Sequence, residues 1–480
     1  MKKRIPSPAV SLIPIVVLVL LLYLFFGKYG ADEIPGGSQL ALLAATGVAC
    51  GIGLVGYQVP WRDVERAVGK NILNVSGALM MLLLIGALSG IWMVSGVIPT
   101  MIYYGLELIN PHFFLFSSCL VSAIVSVIIG SSWTTIATIG LALMGIGQVL
   151  GISEGWVAGA ILSGAYFGDK ISPLSETTVL AASVTDTPLF THIRYMKYTT
   201  VPSMLIALAV FAVVGYSGSY GDLSSLEHFT AVLEQTFMIS PWFLLVPLFT
   251  LLLIVKKVPS LVILFLTVIV SCICALLFQP EILQQIAGGG APSVAQTFKG
   301  MLIALYTETG LETGDPVMNS LVGTRGIEGM LNTLCLILCA MSFGGAMYAN
   351  GMIQSLTRLF LHFVKKGWSM VASTAFAGLF FNVVAADQYI AIILASDMFK
   401  DVYKRKRYES RLLSRTIEDS VTVTSVLIPW NTCGMAQSAV LGVATLTYLP
   451  YCVFNYISPL MSVVVMLIGY KIARLPQQDY

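Results

Sequence analysis

Apolar residues in this chain fall in long runs separated by short polar loops. Runs near the ~20 residues that carry an α-helix across a bilayer lie at 9–27, 38–58, 74–96, 111–129, 131–150, 199–217, 236–255, 258–278, 330–354, 367–385 and 450–470. Three further stretches are weaker as spans: 155–190 and 417–447 are interrupted by polar motifs, and 386–400 is short. Counting each as one crossing gives 14, and the expected fold is an all-α polytopic membrane protein with 12–14 crossings.

Composition agrees. Of 480 residues 57% are hydrophobic and 10% charged, against about 25% charged in soluble domains. The net charge of +2 is spread over short loops and gives no reason to expect nucleic acid as a partner. Eight cysteines (Cys50, Cys119, Cys272, Cys274, Cys335, Cys339, Cys433, Cys452) lie in or beside apolar runs with no CxxC pair, and read as small buried hydrophobes. The opening "MKKR" and the run after it resemble a signal peptide, but the run is long and no small-residue cleavage site follows, so a retained first helix is expected.

Loop charges orient the chain, because Lys and Arg accumulate on the cytoplasmic side. One face collects "MKKR", Arg62/Arg66/Lys70, Arg194/Lys197, Lys256/Lys257, Lys365/Lys366, "KRKRYESR" (404–411) and Lys471/Arg474. The other face takes 28–37, 99–110, 151–154, 218–235 and the acidic 279–329. This implies a multi-pass protein of the inner (cytoplasmic) membrane with both termini inside.

The sequence also repeats. Residues 82–98 lie on 337–353 at an interval of 255, matching Leu83, Gly90, Gly96 and Ile98 to identical residues, and "GSSWTTIA" (130–137) then falls on "AADQYIAI" (385–392), pairing Ser132 with Asp387. After a five-residue shift "GDKISPLS" (168–175) falls on "EDSVTVTS" (418–425), setting Asp169, Ser172, Ser175 against Asp419, Thr422, Ser425. Seven crossings separate the copies in this topology, so they face opposite ways: two inverted-topology repeats with discontinuous transmembrane helices, as in secondary transporters. The expected divisions are N-terminal helices 1–70, a first repeat 71–197, connecting helices and an extracytoplasmic loop 198–329, a second repeat 330–447 and a C-terminal helix 448–480.

Within "GDKISPLSETT", Gly168 is expected to end a half-helix and Pro173 to start another with Ser172 as its N-cap; Pro429 followed by "WNTCG" supplies a comparable interruption. Irregular backbone at membrane depth belongs beside an enclosed cavity. It gathers carbonyls, hydroxyls and carboxylates, the hard oxygen donors of a dehydrated alkali cation. An intramembrane carboxylate costs about 2.5–3.5 kcal/mol on insertion scales and is a functional suspect. Loss of water favours its protonated form, so proton and cation compete for one group.

"GDKISPLSETT", "FTHIRYMKYTTVPS" (190–203), "SLVGTRGIEGML" (320–331), "ADQYIAIIL" (386–394) and "SRTIEDSVTVTSVLIPWNTCG" (414–434) resemble the NhaC family of sodium/proton antiporters. The likeness covers about residues 70–470. The resemblance implies an inverted-repeat ion transporter, and it admits exchange of malate against lactate as an alternative. Glu176 stands where the family usually has aspartate, and Val421 and Val426 where glycine and proline are common.

The candidate cation and proton site is Asp169, Ser172, Ser175, Glu176, Thr177, Asp387, Asp419, Thr422, Ser425 and Asn431, with Asp169 and Asp419 as sodium ligands. Asp169 has an alternative as a structural ion pair with Lys170 or a distant arginine; Lys170 itself either neutralises the empty site or snorkels. Asp387 is open between helix cap and ligand. The hydroxyls at 131, 132, 134 and 135 rank as helix-packing groups, and Glu308, Glu312 and Asp315 as solvated loop acids. His112, His192, His228 and His362 lie near helix ends, with His192 a candidate pH sensor.

The function expected is Na+/H+ exchange by alternating access. The alternative is Na+/H+-coupled exchange of small organic acids, with Lys170, Arg415 and the amides near Ser172 and Asn431 as anion-binding candidates. An intramembrane enzyme is disfavoured by the lack of HExxH, GxSxG or a phosphate-binding loop. No cofactor is expected beyond the transported Na+ and H+. Partners are those ions, the bilayer and, in the alternative, small organic acids; monomer and homodimer both stay open.

Overall fold

In lipid every backbone N–H and C=O has to be paired internally, so the long apolar runs become helices. The structure, a computed structural model, describes residues 5–29, 36–108, 110–218, 223–289, 293–314, 318–319 and 322–475. "MKKR", Asp315 and the first two residues of "SLVGTRGIEGML" lie outside the described residues. Among the described residues, nine helices are long and apolar enough to cross a bilayer. Two further spans are bent, His228–Thr236 with Pro241–Val255 by 85° and Thr445–Tyr451 with Val453–Ile468 by 54°. These eleven coincide with the eleven long apolar runs. The three weaker stretches are helical too, but carry the polar interruptions described below. The segment 279–329, expected outside as a long acidic loop, instead holds the helices Pro280–Ile286 and Val294–Tyr306. Pro280 at the first helical position and the Ser293 hydroxyl, which accepts from the Gln296 N–H at 3.2 Å, start them.

The order of helices repeats. Ser76–Val94 runs out at Gly96 (φ 83°) and Glu328–Ala349 at Gly351 (φ 68°), 255 positions later. From the next loop onward the interval is 256. Phe114–Ile129 stops at Gly130 (φ 74°), and Gly367–Ala385 at Ala386 (φ 57°). Ser131 and Asp387 cap the helices that follow, which end at Gly151 (φ 69°) and Arg407 (φ 62°). Pro173 and Pro429 sit in the next interruptions, and Ser175 and Asn431 cap the helices beyond them.

This corrects the expected register. Asp169 corresponds to Ser425, not Asp419, and the counterpart of Asp387 is Ser131, not Ser132. Helix breaks are placed by proline and by left-handed backbone. The Asp-x-x-Ser spacing that suggested an interval of 250 carries no such constraint.

The span bearing Asp169 is Glu154–Ile171, and its closest neighbour is Phe114–Ile129. The approach depends on small residues. A Cβ on Gly164 would meet the Cys119 carbonyl, with the Ala123 nitrogen and Ser122 Cβ at 2.9 Å. Gly168, expected to end the half-helix, instead lies inside it against Ser126 and Val127; the helix continues to Ile171. Gly164→Ala should therefore lower the thermal stability of purified protein, at about 1–3 kcal/mol for overpacking. Gly47→Ala, where nothing lies within 4 Å, should leave it unchanged or slightly raised. Equal melting temperatures for the two variants would contradict this packing.

Candidate functional site

The first interruption starts where Pro173 removes an N–H donor and holds Ser172 extended (φ −73°, ψ 134°). The helix Glu176–Val184 begins only after Ser175, whose hydroxyl accepts from the Thr178 N–H at 3.5 Å. Ser175 is thus the N-cap, in place of the expected Ser172, whose hydroxyl accepts from the Leu174 N–H at 3.3 Å. The Thr178 hydroxyl donates to the carbonyls of Asp169 (3.1 Å) and Lys170 (3.0 Å), pairing the end of one half-helix with the start of the next. The Asp169 carboxylate lies in the gap, 5% exposed. It accepts from Ser132 Oγ at 2.6 Å and Ser175 Oγ at 2.5 Å, and the Thr177 hydroxyl is 3.0 Å from Ser175 Oγ.

In the second repeat, Asp387 follows the left-handed Ala386 and serves both open readings at once. One carboxylate oxygen caps Gln388–Arg405 by accepting from the Ile390 N–H at 3.0 Å; the other accepts from Thr432 Oγ1 at 3.0 Å. The second interruption closes on the same point, since the Thr432 N–H donates to the Ala386 carbonyl at 2.9 Å. Asn431 caps Thr432–Leu441 through the Cys433 N–H (3.0 Å) and donates to the Asn382 carbonyl (3.1 Å). Trp430 Nε1 donates to the Val383 carbonyl at 2.8 Å.

A cavity of about 560 Å³ joins the two breaks. Its wall carries Asp169, Glu176, Thr177, Asp387 and Thr432, with Ser131 and Thr134 beside them. Glu176 accepts from Tyr389 OH at 2.9 Å. Asn74, Lys257 and Ser260 line the same cavity. Of the expected set, Ser172, Ser175, Asp419, Thr422, Ser425 and Asn431 are outside this lining. Ser175 touches it through Asp169, and Ser425 donates to Gln388 Oε1 at 3.3 Å and to the Thr422 carbonyl at 2.7 Å.

Asp419 is elsewhere. It lies in a π-helical turn, Glu418–Thr422, fully buried and ion-paired with Lys170. Lys170 therefore neither pairs with Asp169 nor snorkels. Arg415 is also buried, its Nε 3.8 Å from Asp419 and its guanidinium 4.7 Å from the centre of the Tyr195 ring. His192, the candidate pH sensor, is buried with Nδ1 2.8 Å from Ser414 Oγ, whereas His112, His228 and His362 are exposed. Glu308 and Glu312 are exposed.

Ser131 and Thr134, ranked as packing groups, line the cavity together with Thr432 and Tyr389, and Ser132, ranked likewise, donates to Asp169. The signal for Ser131 was its place opposite Asp387 in the repeat, and for Thr432 its place opposite Glu176.

The model of the Na+/H+ antiporter family matches residues 3–180 and 164–470 of this chain. The Malate-2H(+)/Na(+)-lactate antiporter of Bacillus subtilis is 34% identical over 88% of the chain and 87% of its own length. The Na(+)/H(+) antiporter NhaC of the same organism is 31% identical over 97% of the chain and 98% of its own length. The NhaC of Alkalihalophilus pseudofirmus is 33% identical over 87% of both chains. With matches of this extent and two broken helices meeting at buried carboxylates, the chain belongs to the Na+/H+ antiporter family, alongside the NhaC proteins.

Proposed function

We propose that the protein exchanges Na+ for H+ across the cytoplasmic membrane, with both ions answering to Asp169 and Asp387. The observation that carries this reading is the convergence of two buried carboxylates, each at a helix break, on one cavity with the hydroxyls of Ser131, Thr134, Thr177 and Thr432. Such an all-oxygen set suits a hard monovalent cation that has lost water. Without the cation, protons neutralise the same carboxylates, so exchange needs no separate coupling device.

The two repeats are inserted in opposite senses. Support comes from equivalent loops: "KRKRYESR" at 404–411 is strongly basic, while its counterpart 148–155, "QVLGISEG", has no Lys or Arg. With basic loops inside, Lys257 in the lining supports a cytoplasm-facing reading of the cavity that carries Asp169 and Asp387. Both termini are cytoplasmic on the same rule. Exchange of organic acids, the activity in the name of one relative, wants a buried cation at the substrate carboxylates. The cavity's lining has three acids, Asp169, Glu176 and Asp387, against one basic residue, Lys257. Lys170 and Arg415 face Asp419 instead.

In liposomes holding a pH-sensitive dye, a sodium chloride pulse should drive protons out through the wild-type protein with no organic acid present. Asp169→Asn and Asp387→Asn should each slow this at least ~100-fold, the scale of losing a group that binds the reacting ion directly. Proton movement that requires malate or lactate would overturn the reading. Competition for one site also fixes a pH dependence: the apparent KM for sodium should fall by up to about tenfold per unit rise in pH below neutrality, at constant maximal rate. A KM indifferent to pH between 5 and 7 would mean the ions do not share a site.

A further inference from the structure

Asp169 and Lys170 are consecutive at the end of one half-helix, yet they serve different places. Asp169 faces the cavity. Lys170 is 0% exposed, and its Nζ donates to Asp419 and to Ser458 Oγ at 2.8 Å, with the Phe454 ring centre 5.7 Å away. Thr199 Oγ1 donates to the same Asp419 oxygen at 3.0 Å, and Ser458 Oγ to it at 3.4 Å.

Asp419, Thr199 and Ser458 therefore form a nest of one carboxylate and two hydroxyls. Asp169 with Ser132 and Ser175 has the same composition. The difference is the occupant. Among the described residues no Lys or Arg pairs with Asp169 or Asp387, whereas the second nest is closed by an ammonium tethered to the first.

We propose that Lys170 is a resident cation filling the Asp419–Thr199–Ser458 nest, so that sodium is carried at Asp169 and Asp387 alone, one ion per cycle. The inference rests on the sodium site proposed above. It gives Asp419 a positioning role: the pair ties the half-helix that carries Asp169 to the π turn of the other repeat. The Lys170 ammonium already sits on Asp419 and on Ser458 Oγ, and Arg415 Nε lies 3.8 Å from the other Asp419 oxygen, so two built-in cations stand beside Asp419 and the neighbouring buried Glu418, where an alkali cation would have to compete with them.

The test is equilibrium binding of radioactive sodium to purified protein. Wild type should bind one sodium per chain, and Asp169→Asn should weaken binding at least thirtyfold. Asp419→Asn alone leaves Lys170 buried without its carboxylate and is expected to fold poorly, so the decisive variant is Lys170→Met with Asp419→Asn, which removes both charges together. The double variant should still bind one sodium with affinity within threefold of wild type. Turnover in liposomes should fall by more than tenfold, because the tie between the two broken helices is lost. A double variant that loses sodium as Asp169→Asn does would overturn the proposal, as would a wild type that binds two ions and a double variant that binds one. Wild-type turnover in the double variant would remove the positioning role. If Asp169→Asn binds sodium normally, the proposed sodium site itself fails, and this inference with it.

Discussion

The structure depends on how backbone polar groups are satisfied where a helix stops inside a membrane. No water reaches that depth through lipid, so a broken span is stable only if side chains and the neighbouring break supply the missing partners. Here they do so from both directions. Thr178 closes the carbonyls of Asp169 and Lys170, and the Thr432 N–H closes that of Ala386. The caps Ser175, Asp387 and Asn431 take up the N–H groups on the other side of each gap. The second break is thus stitched to the end of Gly367–Ala385, and the first is seated beside Ser132 by packing at Gly164 and Gly168.

That stitching determines the chemistry. Asp387 spends one oxygen on a helix N-terminus and offers the other to Thr432; Asp169 accepts from the hydroxyls of Ser132 and Ser175. Hydroxyls can turn to accept from a protonated acid or to lend a lone pair to a cation. A carboxylate so surrounded is held in place without being given a permanent counter-ion. Asp419 shows the contrast, since its carboxylate is ion-paired with Lys170. On the proposed reading the same residue types make an exchange site in one place and a structural tie in the other, according to whether a cation is built into the chain.

Much of this was legible in the sequence for a simple reason. Apolar runs of membrane length have one folded outcome, and the prolines at 173 and 429 mark breaks because polar residues surround them, whereas Pro14, Pro202 and Pro459 lie inside unbroken helices. What was not legible was register and partnership. Matching Asp169 to Asp419 followed residue type, but residue type does not position a break; the left-handed residues Gly130 and Ala386 do, and alanine carries no outward sign of that conformation. Ser132 and Thr432 look like any packing hydroxyl of a membrane helix until Asp169 and Asp387 are seen beside them. The Lys170–Asp419 pair joins residues 249 positions apart, and no local pattern announces it.

The central claim is that sodium sits between the two breaks, on Asp169 and Asp387. It is tested most directly by experimental structures of the same protein in sodium and in a large organic cation that cannot enter. The account predicts one difference peak, bounded by the Asp169 and Asp387 carboxylates and the hydroxyls of Thr177 and Thr432, with Lys170 still on Asp419. A peak at Asp419 with Lys170 displaced, and none in the cavity, would contradict it.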